Sequence, residues 1–328
     1  MSLVVPLLCI LLGFVLLVWS ADRFVMGSAT TAQNLDVSPL VIGLAVVGVG
    51  TSAPELLVSA MAAIQKREAL SVGNAIGSNI VNIALVLGVG AVVHPLRINS
   101  KIVRREMPVL VAVMLAVWLM LSDGQLNRID GGVLFAGMIA VLVWAVRQGL
   151  SESNQQSDPL AHELAEHVRP KMSTSRALAW TAAGLVLLLI SSRILVYGAV
   201  ELAEYFGVSE LVIGLTVVAF GTSLPELAAT MVAARKGEDD IAVGNVIGSN
   251  LFNLLGVLGL PGLISPGRLE PGVLSRDFPA MLTLTLLFWG IAIKPWGRHQ
   301  GELSRAGGAV LLVGFCVYLA VLLRMTLP

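Results

Sequence analysis

The chain has 328 residues, of which 56% are hydrophobic and 13% charged, and its 21 basic and 21 acidic side chains cancel to zero net charge. An ordinary soluble domain carries about 25% charged residues, so that class is excluded, and the charge balance gives no basis for a nucleic-acid partner. Alternating ten-residue segments of the kind that build membrane β-barrels are not found, which leaves an all-α polytopic membrane protein.

Ten apolar segments follow in chain order, at about 3–21, 37–64, 70–93, 102–122, 130–147, 177–203, 209–234, 241–264, 274–293 and 306–325. Most approach the roughly 20 apolar residues that cross a bilayer. The first begins at Leu3 with no basic residue before it, so it reads as a retained helix and not a signal peptide. Cys9 and Cys316 lie in apolar spans and read as two buried, unpaired thiols. Between the fifth and sixth segments lies the one long polar stretch, Gly149–Ser175, with a short helix predicted from Asp158 as cap and Pro159 behind it. It reads as a linker between two fused halves.

GTSAPE at Gly50–Glu55 recurs as GTSLPE at Gly221–Glu226, and GNAIGSNIVN at Gly73–Asn82 recurs as GNVIGSNLFN at Gly244–Asn253, both at an offset of 171. Residues 43–93 align with 214–264 without a gap at 23 identities in 51 positions. The chain is therefore an internal duplication: a first five-helix repeat over 1–148 with its motif core at 37–93, a linker at 149–175, and a second repeat over 176–328 with its core at 209–264. Five spans per half force the second half to insert upside down, giving ten transmembrane helices as two inverted five-helix repeats. With the N-terminus outside, 14 of the Lys and Arg residues fall on the inner side and six on the outer, which by the positive-inside rule places both termini outside and the linker in the cytoplasm.

Each repeat sets one carboxylate, Glu55 or Glu226, among apolar neighbours. Buried acids in a membrane are costly and usually functional. Gly48, Gly50 and Pro54 interrupt the helix before Glu55, which frees carbonyls that need partners in hydrocarbon. The carbonyls of Gly48 and Ala219 are candidates to face a cation. Thr51 and Ser52, with Thr222 and Ser223, lie about one helical turn before the glutamates. On the next helix Ser78 and Asn82, and likewise Ser249 and Asn253, stand four apart on one face. This is an all-oxygen set, suited to hard ions such as Ca²⁺ and Na⁺ and not to zinc or copper. Asn74 and Asn245 divide evenly between a site role and simple hydrogen bonding, and Asn79 and Asn250 read as structural. The glycines of GNxIGSN are expected to allow close helix contact. Arg105-Glu106-Met107-Pro108 matches Arg276-Asp277-Phe278-Pro279 at the same offset and reads as a charged helix cap.

The paired GTSxPE and GNxxGSNxxN blocks resemble the α-repeats of the calcium/cation antiporter superfamily, and most closely its bacterial sodium/calcium exchanger branch. The resemblance covers both halves. It implies a secondary transporter of the cytoplasmic membrane that exchanges calcium for sodium by alternating access, with no cofactor and a monomer sufficient for the site. It further implies that Glu55, Glu226, Thr51 and Thr222 hold calcium near mid-membrane. Ser52, Ser78, Ser223 and Ser249, with the Gly48 and Ala219 carbonyls, would help form sodium sites, and Asn82 and Asn253 would line the centre. Some family members carry aspartate where this chain has Asn253, so one negative charge is missing here. The resemblance also implies that the first and sixth spans slide against a core of repeat helices.

Two other readings stay open. In a proton/calcium antiporter of the same superfamily the two glutamates would bind protons, although protons need no serine or carbonyl ligands. A passive cation channel is more remote, because channels commonly build ion-selective rings around an oligomer axis. An enzyme is not indicated: no nucleophile–base pair, histidine metal set or complete phosphate-binding loop is found.

Overall fold

The computed structural model describes residues 3–35, 37–155, 172–206, 219–270, 272–293 and 301–326. The helices are α1 (Val4–Asn34), α2 (Pro39–Thr51), α3 (Ala53–Ile64), α4 (Glu68–Val93), α5 (Ile102–Asp123), α6 (Arg128–Gln155), α7 (Thr174–Tyr205), α8 (Ala219–Thr222), α9 (Leu224–Lys236), α10 (Asp239–Ile264), α11 (Phe278–Ala292) and α12 (Arg305–Thr326). Two short antiparallel strand pairs complete the described structure. β1 (Leu96–Ile98) pairs with β4 (Gly301–Leu303), Arg97 opposite Glu302, and β2 (Gln125–Leu126) pairs with β3 (Gly267–Arg268). The protein is an all-α polytopic membrane protein.

Among the described residues, seven helices are long and apolar enough to cross a membrane, and an eighth is gained if α2 and α3, broken at Ser52, count as one span. Of the remaining expected segments, 209–234 begins outside the described residues and is helical from Ala219, while 274–293 holds a π-turn, Val273–Asp277, running directly into α11. The first segment was expected to end near residue 21, but α1 runs on to Asn34. Asp22 and Arg23 interrupt the hydropathy, yet Ala21, Phe24, Val25, Ser28, Ala29, Thr31 and Ala32 keep one buried face, so packing carries the helix past its charges. α6 continues to Gln155, into the expected linker, and the short helix expected at Asp158 lies outside the described residues.

The chain forms two compact units, and each takes elements from both sequence repeats. The first comprises Met1–Thr51 and Ile139–Asn245; the second comprises Ser52–Met138 and Val246–Pro328. In the first unit α1 and α7 pack antiparallel through four glycines. A methyl group on Gly13 would stand 2.8 Å from the Leu195 nitrogen, and one on Gly184 would stand 2.7 Å from the Phe24 nitrogen. A methyl on Gly27 would stand 2.6 Å from the Thr181 nitrogen, and one on Gly198 2.6 Å from the Pro6 oxygen. Gly13 and Gly184, Gly27 and Gly198, and Phe24 and Leu195 are all pairs 171 apart, so each contact has its image at the other end of the helix pair. Ser20 meets its own image: its Oγ lies 3.5 Å from Ser191 Oγ. Each of these hydroxyls also donates to its own helix, to Leu17 O and Leu188 O. The pair thus follows a local two-fold axis that inverts α1 onto α7.

The second unit repeats the pattern around α10, which is buried from Ile241 to Gly259. Asn79 Nδ2 donates to Asn250 O at 3.2 Å, and Asn250 Nδ2 donates back to Asn79 O at 3.5 Å, so these asparagines are structural, as read. α12 packs on α4 where Gly88 meets Gly308, and α6 packs on α10 where Gly131 meets Gly262. One-turn π-helical segments interrupt α4 at Val81–Val86 and α10 at Asn253–Val257, and a further matched pair spans Ile102–Glu106 and Val273–Asp277. Within that last pair Arg105 and Arg276 bond the adjacent Glu106 and Asp277 at 2.8 Å. Neither acid caps its helix through a side-chain hydrogen bond. Cys9 and Cys316 are unpaired, but Cys9 is only half-buried and Cys316 is exposed. An apolar position in a membrane helix can face lipid, so apolar surroundings in the sequence did not mean burial.

Overpacking a tight contact costs about 1–3 kcal/mol. Gly184→Val is therefore expected to lower the thermal midpoint of the purified protein by several degrees. Gly132→Ala, where no described atom lies within 4 Å of the added methyl, is expected to leave it unchanged or raise it, since alanine is the better helix former. A thermal series monitored by fluorescence-detected size exclusion measures both.

Candidate functional site

The site begins where the helix stops and restarts. α2 ends at Thr51, Ser52 leaves the helix at φ −80° and ψ 9°, and α3 starts at Ala53 with Pro54 in its first turn. The second copy repeats this: α8 ends at Thr222, Ser223 sits at φ −91° and ψ 8°, and α9 starts at Leu224 with Pro225. Proline lacks an N–H and fits the first turn, whose donors have no helical partner. Glu55 and Glu226 lie in those first turns. A helix N-terminus, with its open N–H groups, is a favourable place for an acidic side chain. Both glutamates are fully buried.

Every candidate ligand whose side chain is described is buried: Thr51, Ser52, Ser78, Asn82, Thr222, Ser223, Ser249 and Asn253. Gly48 is buried near the end of α2, and Ala219 is the first described residue of α8. Gly48, Thr51, Ala219, Thr222, Ser223 and Glu226 belong to the first unit, and Ser52, Glu55, Ser78, Asn82, Ser249 and Asn253 to the second. Thr51 Oγ1 lies 3.0 Å from Val47 O and 3.1 Å from Asn245 Oδ1.

Asn74 and Asn245 brace the glutamates through the backbone. Asn74 Nδ2 donates to Glu55 O at 2.9 Å; Asn245 Nδ2 donates to Glu226 O at 3.3 Å and to Thr230 Oγ1 at 2.9 Å. The equivalent bond in both copies makes them positioning residues. Gly244 of the second motif packs tightly, a methyl there standing 2.8 Å from Leu40 O. At Gly73 and Gly77 no described atom lies within 4 Å, so the close contact expected of these glycines is found at Gly244 alone among the three.

A second layer of hydroxyls, not singled out by any motif, lies one turn beyond the glutamates. Ser59 Oγ lies 2.6 Å from Ser71 Oγ and 3.1 Å from Val257 O, tying α3 to both α4 and the π-turn of α10. Thr230 is the image of Ser59 at offset 171. A hydroxyl four residues after each glutamate was the signal that would have found them.

Asn82 and Asn253 differ from all the others. Both are fully buried, each opens or sits within a π-turn, and neither side-chain nitrogen nor oxygen of either has a hydrogen-bond partner among the described residues. Buried amides are nearly always paired, and leaving one unpaired costs about 1–3 kcal/mol. π-turns in turn concentrate at functional sites. These amides fit oxygen-rich coordination of an ion or its water.

Broken helices and a helix pair related by inversion are features of membrane transporters. Residues 5–147 and 176–324 match the family described as sodium/calcium exchanger protein, and the chain belongs to that family. It is 44% identical over 316 residues to the putative antiporter CaxA of Alkalimonas amylolytica, covering 96% of this chain and 98% of that protein. It is 41% identical over 313 residues to the inner membrane protein YrbG of Escherichia coli, covering 95% of each. A solved structure of the sodium-calcium exchanger NCX_Mj, soaked with zero Na⁺ and Ca²⁺, superposes with a TM-score of 0.84 at 32% identity, covering 98% of this chain and 100% of that one. The chain is a transporter and not an enzyme.

Replacing Asn82 and Asn253 with leucine removes the unpaired amides. The double variant is expected to melt at or above the wild-type temperature, and any rise in the wild-type midpoint on adding calcium is expected to be lost in it. Thermal unfolding with and without calcium reads both effects at once.

Proposed function

We propose that the protein exchanges calcium for sodium across the bacterial cytoplasmic membrane, with Glu55 and Glu226 as the charged ligands of the transported calcium. The observation that carries this reading is a fully buried glutamate in the first turn of a restarted helix, present in both copies. Thr51 and Thr222 complete the calcium ligands. Ser52, Ser78, Ser223 and Ser249, with the Gly48 and Ala219 carbonyls, supply neutral oxygens for sodium, and Asn82 and Asn253 line the centre. Hard cations prefer such oxygens. The family's name and the name of the superposed NCX_Mj support the ion pair, and the name of YrbG supports the inner membrane.

Transport proceeds by alternating access. The local two-fold that inverts α1 onto α7 supports this, because inverted repeats let two equivalent conformations open to opposite sides. The termini lie outside, and the two repeats, 1–148 and 176–328, are joined by a cytoplasmic linker at 149–175. Two carboxylates give an empty site about two negative charges. One Ca²⁺ or two Na⁺ neutralise them; a third Na⁺ leaves the site positive and makes exchange electrogenic.

Sodium-loaded proteoliposomes diluted into sodium-free buffer are expected to take up radioactive calcium, and a sodium ionophore should collapse the uptake. Uptake that follows a pH gradient without sodium would instead assign proton coupling to the same glutamates. Glu55→Gln and Glu226→Gln are each expected to abolish uptake, and full exchange by either protein would refute the site. Electrogenic exchange should appear as a transport current on solid-supported membranes, and sodium-driven calcium flux without current would rule out the third sodium.

A further inference from the structure

The α1–α7 pair carries one feature that its two-fold does not repeat. Trp19 and Arg23 stand one turn apart on α1, and Arg176 and Trp180 stand one turn apart on α7. The Arg23 guanidinium lies 5.6 Å from the Trp19 ring centroid and 5.4 Å from that of Trp180, and the two indoles meet edge to face at 6.1 Å. Because α1 and α7 are antiparallel, Arg23 and Arg176 both lie on the same side of the tryptophan pair. The images of Trp19, Arg23, Arg176 and Trp180 at offset 171 are Ile190, Ile194, Val5 and Cys9. The glycine contacts are equivalent at both ends, so helix packing does not require the cluster.

Its depth is that of a headgroup. The lipid-facing apolar run of α1 extends from Val4 to Trp19 and is followed by Asp22 and Arg23. Arg23 lies nineteen residues beyond Val4, about 28 Å along the axis, against a hydrocarbon core of about 30 Å. Tryptophan with arginine just beyond it is the pattern of a membrane interface. The neighbouring acid is already engaged: Asp22 Oδ1 accepts from Lys236 Nζ at 2.8 Å. Arg23 Nε is buried without a hydrogen-bond partner among the described residues, and Arg176 is exposed. Cation–π contacts on two sides fix the guanidinium without satisfying its N–H donors, and planar guanidinium donors match phosphate oxygens.

We propose that Arg23 and Arg176, framed by Trp19 and Trp180, bind the phosphate of an anionic phospholipid in the leaflet where α7 begins. Basic groups at the ends of membrane helices attract anionic lipid, and Trp19 is exposed on the face where its acyl chains would lie. In the proposed topology this is the cytoplasmic leaflet.

The test uses the full chain purified in detergent and titrated with phosphatidylglycerol or phosphatidylcholine under native mass spectrometry. Wild type is expected to retain its first phosphatidylglycerol more tightly than phosphatidylcholine, and Arg23→Gln and Arg176→Gln to weaken that first event about tenfold each. Equal retention by wild type and both variants would overturn the proposal, as would displacement of the lipid by inorganic phosphate alone. Arg176 is exposed, so its variant is informative even where Arg23→Gln fails to fold. In a background with Trp118, Trp144, Trp289 and Trp296 replaced by phenylalanine, brominated phosphatidylglycerol is expected to quench fluorescence more than brominated phosphatidylcholine. Equal quenching would overturn the proposal independently of the arginine variants.

Discussion

A carboxylate held away from water is the constraint on which the rest of this structure depends. Removing such a charge from solvent costs several kcal/mol even after relaxation, and a membrane interior offers no bulk water to repay it. Glu55 and Glu226 are fully buried, so the surrounding chain must supply what water would. It does so first with backbone: each helix is broken at a serine and restarted so that the acid falls in its first turn. An intact helix would present only side chains at that level. A broken one presents unsatisfied N–H groups on one side of the gap and carbonyls on the other, which is a polar environment built from residues no more polar than glycine, alanine and proline.

Duplication then decides which residue types are tolerated where. A residue on a two-fold axis meets its own image and must be compatible with itself. Ser20 with Ser191, and Asn79 with Asn250, meet this condition by pairing a group with its twin or with the twin's backbone. Off the axis each contact occurs twice, so a glycine needed at Gly13 is needed again at Gly184. The same logic isolates residues that break the symmetry. The Arg23 cluster has apolar images, and Ser71, which bonds Ser59, has Ala242 as its image. Where the halves differ, the cause lies outside the shared fold, in the different surroundings that each half meets.

The repeat and the helix breaks were legible because they rest on residue chemistry at fixed spacing. Pro54 and Pro225 announce a restarted helix, and the identical GTS and GSN blocks announce that whatever happens once happens twice. The full length of α1 was not legible, because hydropathy weighs Asp22 and Arg23 against a span while packing responds only to the buried face. The π-turns were hidden for a related reason: one extra residue in a turn leaves no mark on composition. The roles of Asn74 and Asn245 needed the third dimension, since their partners are backbone carbonyls 19 residues away. The glycine seam between α1 and α7 repeats at the motif offset, but its flanking residues have diverged, so nothing in the local pattern advertised it.

The neutrality of Asn82 and Asn253 completes the electrostatic argument. An asparagine at these positions adds oxygen and nitrogen without adding charge, so the fixed charge of the candidate ligands comes from the two glutamates alone. Burying four amide atoms without partners among the described residues sacrifices stability that leucine would not, and selection for folding alone would not keep them. A leucine core would be the better packing solution and would offer a passing cation nothing. An aspartate at either position would demand a further positive charge before the site reached neutrality. The amides sit between these limits: in the proposed site they would give a partly dehydrated ion oxygen atoms to replace its water, while leaving the charge to be compensated at the value the two proposed glutamate ligands set.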